Sequence, residues 1–207
     1  MLSARQLDVM RGSRTIVASA DFCVDGGAAL LIHGANGSGK SSLIAALAGL
    51  LPPVAGTVSW RGADVRDEPV RFRRDLAYLG HADGCSGELS VAENLRFAAV
   101  LGASGARERE RDVLDAAGVL PLMRTRLARL SQGQRRRVAL ARLVLAHKPL
   151  WLLDEPTEAL DETGARWFTA CIDEHLRAGG TLVATTHRPL PVDAARTRHL
   201  HLARSAA

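Results

Sequence analysis

A chain of 207 residues with 47% hydrophobic content can bury the core of one domain, or of one domain with a subdomain. Its three cysteines, Cys23, Cys85 and Cys171, are odd in number and far apart, which argues against a disulfide framework or a zinc site and for a reducing cytoplasm. The net charge of +5 comes from arginine spread along the chain, with 4% aromatic residues, which argues against nucleic acid as a partner. No apolar run approaches the roughly 18 residues of a membrane span, and residues 1–25 lack a signal-peptide layout, so the chain is expected neither to cross a membrane nor to leave the cell unaided.

Residues 7–10 and 16–24 read as short antiparallel strands, the second with Ala18, Ala20, Phe22 and Val24 alternating ahead of a turn at Asp25-Gly26-Gly27. The apolar run 28–33 is a further strand, followed by Gly34-Ala35-Asn36-Gly37-Ser38-Gly39-Lys40-Ser41 and a helix that carries on from Ser42. A glycine-rich turn lets successive backbone N–H groups converge on phosphate oxygens, and the helix behind it adds about half a positive charge. Lys40 is placed to reach the β- and γ-phosphates as a point charge, and the Ser41 hydroxyl to join a Mg²⁺ shell. A loop that merely turns a strand into a helix does not require a Lys-Ser pair at this offset, so a nucleotide with Mg²⁺ is the expected guest.

Leu51-Pro52-Pro53 ends that helix, residues 56–60 give a strand before the turn at Arg61-Gly62, and residues 76–79 resume a buried strand. The character then changes to helices. Ser90-Val91-Ala92-Glu93 is a capping box that opens an apolar-periodic helix through Leu95, Ala98, Ala99 and Leu101. Gly102-Ala103-Ser104-Gly105 links it to a charged helix over 107–117, which Gly118 and Pro121 terminate. Residues 81–129 thus read as a helical subdomain inserted into an α/β core made of 1–80 and 130–207.

Leu130-Ser131-Gln132-Gly133-Gln134 precedes a helix over 135–146, with Val138, Ala141 and Leu145 as its buried stripe, and offers a second donor-rich helix N-terminus. Arg135-Arg136-Arg137 at its start reads as a solvated helix face, with contact to a partner or to lipid headgroups as the second reading. An apolar strand over 150–153 ends in Asp154 and Glu155, a helix over 162–177 is stopped by Gly179-Gly180, and a strand over 181–185 leads to His187. Strands alternating with helices imply a largely parallel sheet covered on both faces. Ligands of such sheets sit at the carboxyl ends of the strands, where Gly34, Asp154 and His187 all fall. Asp154 can hold Mg²⁺ through water, Glu155 can accept a proton from an attacking water, and His187 can contact the γ-phosphate. One nucleotide hardly needs two glycine-rich receptors. Ser131 and Gly133 are therefore expected to meet the γ-phosphate held by a second copy, sandwiching two nucleotides in a head-to-tail dimer. His199 and His201 alternate on a terminal strand, and two ligands there make a poor metal site, so they read as strand filler.

In this order the motifs resemble those of the ATP-binding-cassette ATPases, over about residues 1–190: 34–41 as the Walker A loop, 130–134 as the signature, 150–155 as Walker B, 158–161 as the D-loop and His187 as the switch histidine. The resemblance implies an α/β P-loop fold with a mostly parallel core sheet, an antiparallel β subdomain and an inserted helical subdomain. It implies a subunit that hydrolyses ATP, dimerises on it, and drives an integral membrane subunit from the cytoplasmic face of the cell membrane. By the same resemblance Gln134 and Asp161 border the nucleotide, the base-stacking position falls on Arg11, and the Q-loop position falls on His81 in place of glutamine. Glu158 replaces the small residue usual at the start of the D-loop. Tyr78-Leu79-Gly80-His81, residues 89–97 and the short length are similar to the ATP-binding subunits of cytochrome c maturation haem exporters, which implies haem export or haem-chaperone release. The ATP-binding subunit of another exporter or importer is the competing reading.

Overall fold

The computed structural model describes residues 1–101, 107–187 and 190–203, with backbone alone for 97–101 and 107–109. The linker at Gly102-Ala103-Ser104-Gly105 lies outside the described residues, as do the side chains of Ala98, Ala99 and Leu101. The chain begins β1 (Leu2–Arg11), β2 (Arg14–Val24), β3 (Ala29–His33), α1 (Lys40–Leu47), β4 (Ala55–Trp60), β5 (Ala63–Asp64), α2 (Pro69–Asp75) and β6 (Leu76–Leu79). It continues with α3 (Val91–Leu101), α4 (Arg107–Ala116), α5 (Gln132–Leu145), β7 (Leu150–Leu153), α6 (Glu162–Arg177), β8 (Thr181–Thr185) and β9 (Thr197–His201).

Two sheets result. The first is antiparallel in the order β2-β1-β4-β5, and the second is parallel throughout in the order β6-β7-β8-β3-β9. Period-two alternation sends neighbouring residues of the parallel strands to opposite faces. Leu30, Ile32, Leu150, Leu152 and Val183 join α1 and the antiparallel sheet in one core, while Leu31, Leu79, Trp151, Leu153 and Ala184 join α5 and α6 in another. A third cluster gathers Val91 and Leu95 of α3, Leu114 of α4, and Val138 and Ala141 of α5. Helix α5 thus has two apolar faces, one on the sheet and one on the helical region, and ties the two together.

Several readings of the sequence are corrected. Ala18 is exposed, and the buried residues of β2 are Val17, Ala20 and Val24, because the strand bulges. Ser19 and Gln6 both take left-handed backbone (φ 47° and 45°), and the freed N–H groups are satisfied by Asp8 and Asp21, at 2.6 Å and 3.0 Å. Helix α2 goes unread in the sequence: it is seven residues long, carries one buried apolar side chain, Phe72, and has no room for a period to show. Helix α5 starts at Gln132, three residues before Arg135, because Ser131 and Gln134 form a capping box of their own. The arginine run is not a solvated face. Arg135 is exposed, but Arg136 is buried and Arg137 is half-buried.

Candidate active site

In the parallel sheet β7, β8 and β3 are adjacent, so their carboxyl ends lie side by side. The loop from Gly34 to α1 leaves the last of these. Gly39 has φ 96°, and a Cβ there would sit 2.0 Å from the Ile16 methyl; a Cβ on Gly34 would sit 2.4 Å from Ser38 Oγ. Neither position has space for a side chain, so the loop backbone is packed against β2 and against itself. Lys40 is buried, and its Nζ donates to the carbonyls of Gly34 at 2.9 Å and Ala35 at 3.2 Å. Ala35, Asn36 and Gly37 are exposed at the loop crest, Ser41 is exposed on the first turn of α1, and Ser42 is half-buried beside it. Ser38 Oγ is fully enclosed with no hydrogen-bond partner among the described residues, an orphaned donor inside the loop.

Asp154 and Glu155 directly follow β7, as the sequence placed them. One hydroxyl organises the pair: Thr185 Oγ1, at the end of β8, donates to Asp154 Oδ1 at 2.6 Å and accepts the Glu155 N–H at 2.9 Å. Asp154 is buried, and burial followed by its charge pushes the Tyr78 phenol above its ordinary value. Glu155 adopts φ 47°, a strained conformation for a non-glycine residue. Its side chain is one-quarter exposed, and His187 Nε2 donates to its Oε1 at 2.9 Å. A buried carboxylate, a semi-exposed carboxylate and an imidazole on the latter thus meet at neighbouring strand ends. Sequence reasoning passed over Thr185 as a strand end and Arg136 as a surface charge. The first had a signal, a hydroxyl at the carboxyl end of a strand whose middle is apolar, two residues before His187; the second had none.

The signature residues make contacts of their own. Ser131 N–H donates to Gln134 Oε1 at 3.0 Å and Gln134 N–H to Ser131 Oγ at 3.2 Å, while Gly133 lies so close to the Ala159 carbonyl that a Cβ would sit 2.8 Å from it. None of these contacts reaches the loop at Gly34. Asp161 caps α6 by accepting the Gly164 N–H at 2.9 Å and pairs with Arg137, and these bonds hold its carboxyl below the usual range. Arg11 is exposed where β1 turns into β2, opposite Arg14, and His81 is exposed just after β6. His199 Nδ1 lies 2.8 Å from Nε2 of His33, whose ring stacks on both His199 and His201.

Residues 17–158 match the profile of the ABC transporter family, which spans the loop at Gly34, the signature and the acid pair. The chain belongs to that family, in its cytochrome c biogenesis branch. It is 54% identical to the cytochrome c biogenesis ATP-binding export protein CcmA of Paraburkholderia xenovorans, covering 100% of this chain and 99% of the relative. The protein of the same name from Cupriavidus pinatubonensis is 47% identical over 92% of this chain and 85% of its own. Among solved structures, an ATP-binding subunit of an ABC transporter superposes with TM-score 0.81 at 28% identity, over 90% of this chain and 80% of that one. The chain is accordingly an ATP-binding, ATP-hydrolysing subunit of the cassette type with the parallel and antiparallel sheets of that fold. Among the described residues, no helix of this ABC subunit is long and apolar enough to cross a membrane.

Proposed function

We propose that this subunit hydrolyses ATP at the ends of β3, β7 and β8 to drive a membrane-embedded partner in haem export, or release of a haem chaperone, for c-type cytochrome assembly. The observation that carries the hydrolytic reading is the Asp154, Glu155 and His187 cluster, held by Thr185 one strand away from the Lys40 loop. Full-length identity to cytochrome c biogenesis export proteins supports the destination of the energy.

The loop amides of 34–39 face the phosphates, and Lys40 exchanges its carbonyl bonds for phosphate oxygens when nucleotide arrives. Arg11 lies under the base as a planar cation. The donors fit Mg²⁺: the Ser41 hydroxyl and the Asp154 carboxylate are hard oxygens, and one Asp154 oxygen is already oriented by Thr185. The ion would neutralise charge on the β- and γ-oxygens. Glu155 takes the proton of the attacking water, and His187 fixes the direction of that carboxylate and faces the γ-phosphate. Ser131, Gly133 and Gln134, with Asp161, complete the site of a second copy in a head-to-tail dimer. Residues 81–129 serve as the helical subdomain of a single cassette, and His81 with the turn after it meets the membrane subunit on the cytoplasmic face.

The test is complementation of a strain lacking this protein. Wild type should restore covalent haem attachment to periplasmic c-type cytochromes, and Glu155→Gln should not, while binding ATP normally and hydrolysing it at least about 10²-fold more slowly. Normal cytochrome maturation in the deletion strain overturns the cytochrome reading, and near-normal turnover in the variant overturns the role of Glu155.

A further inference from the structure

Arg136 is unused by the mechanism above, yet it is one of the most enclosed charges in the protein, with a side chain 6% exposed. A guanidinium has five N–H donors in a fixed plane. Five oxygens lie around this one. Nε donates to the Pro156 carbonyl at 3.2 Å; Nη1 donates to the Gly80 carbonyl at 3.4 Å and to Asp83 Oδ1 at 2.9 Å; Nη2 donates to the carbonyls of Asp154 at 2.9 Å and Glu155 at 2.6 Å. Two segments far apart in the chain, 80–83 after β6 and 154–156 after β7, are thereby joined through one side chain of α5. Arg142, on the same helix, donates to the Asp83 carbonyl at 3.0 Å and to the Gly84 carbonyl, so α5 grips the 80–84 turn at two places.

A buried charge is tolerated only when its bonds are made, and five acceptors drawn from two segments are all met in one relative placement of those segments. Glu155 is the residue most exposed to that constraint. Its backbone is left-handed, its N–H is held by Thr185, and its carbonyl is held by Arg136. Where the Glu155 carboxylate points therefore depends on the guanidinium. At the other end Asp83 is one-quarter exposed and contributes the single carboxylate of the five acceptors, so it is the point at which a docked protein can reach the network.

We propose that Arg136 is a positioning residue for hydrolysis: it transmits the position of the 80–84 turn to the orientation of Glu155, with Asp83 as the outward end of the connection. The proposal rests on the reading of Glu155 as proton acceptor. It differs from a plain structural staple, which would hold the fold and the nucleotide site together without any preference for turnover.

The test uses the full chain, alone and with its membrane subunit, as Arg136→Lys and Asp83→Asn. Lysine keeps the charge but has three donors on one nitrogen in place of five in a planar fork, so it cannot meet all five acceptors. Arg136→Lys should bind ATP within about two-fold of wild type while kcat falls at least about tenfold. Amide hydrogen exchange should rise together in 80–84 and 154–156 and remain unchanged in the β1–β2 pair. Asp83→Asn should raise exchange in both segments and lower partner-stimulated turnover more than basal turnover. Parallel loss of affinity, thermal stability and kcat in Arg136→Lys reduces Arg136 to a staple and overturns the proposal, as does an unchanged kcat or loosening of one segment alone. If Arg136→Lys does not fold, unchanged exchange at 154–156 in Asp83→Asn overturns it. Normal turnover of Glu155→Gln would remove the assignment of Glu155 instead, and the exchange readout would still report whether the two segments are joined.

Discussion

Thr185 is fully buried and spends its one proton on Asp154, so its oxygen is left to accept the Glu155 N–H, and the direction of both bonds is settled. Valine has the same shape and neither bond. Thr185→Val should cost about 1–3 kcal/mol of stability, because a carboxylate oxygen and a backbone N–H lose their partner. It should also slow hydrolysis by about tenfold or more, since Glu155 then keeps its strained backbone with one restraint fewer. Chemical denaturation and single-turnover ATPase measure the two effects separately. An unchanged rate with the expected loss of stability would show that the hydroxyl holds the fold and not the chemistry. Lys40 illustrates the opposite case, a residue whose role the local motif announces and whose side chain is already curled over the loop that needs it.

Helix α3 depends on its first turn. Ser90 N–H and Oγ both donate to Glu93 Oε2, at 2.7 Å and 2.6 Å, and Glu93 N–H donates back to Ser90 Oγ at 3.2 Å. Ser90→Ala should therefore destabilise the protein by about 1 kcal/mol in denaturant melts. The side-chain bond from Ser90, then its backbone N–H, hold the Glu93 carboxyl below its ordinary value, so the cap is complete above the unfolded value of 4.5 and lost as pH falls through the folded one. The last turn of α6 behaves similarly at higher pH. His175 stacks on Trp151 with centroids 4.0 Å apart, and burial holds its imidazole below 6.5, against a smaller upward pull from the Thr181 carbonyl. Stability contributed by a neutral His175 is full above 6.5 and falls as pH drops through its folded value. Melts between pH 7.5 and 5 should show a shallower acid slope for His175→Phe. The slope should shrink and not vanish, because burial, then the charges of His199 and His201, lower His33 in the same direction.

The contacts of the signature bear on assembly. Ser131 and Gln134 are bonded to each other and Gly133 lies against Ala159, and none of these contacts is to the Gly34 loop. In a dimer with Lys40→Ala on one chain and Ser131→Arg on the other, both changes should fall on the same composite site. That site should be inactive in single-turnover measurements and its twin should remain active. Two equally inactive sites would remove the support for a shared arrangement.

Motifs built from neighbours in the chain were readable without coordinates, because their physics is local. The Gly34–Ser41 loop, the Ser90 to Glu93 cap, the strand running into Asp154 and Glu155, and helix 162–177 each depend on residues within a few positions of one another. The same is true of the alternation that makes a parallel sheet covered on both faces. What stayed hidden needed a partner from elsewhere. Ala18 lost its inward place to bulges closed by Asp8 and Asp21 across a strand pair, and Thr185 reaches acids 30 and 31 positions away. Arg136, set between two other arginines, has the composition of a solvated face. It is buried because α5 packs on the sheet at the point where two strand ends present carbonyls to a cation, and charge in a sequence carries no record of which oxygens will surround it.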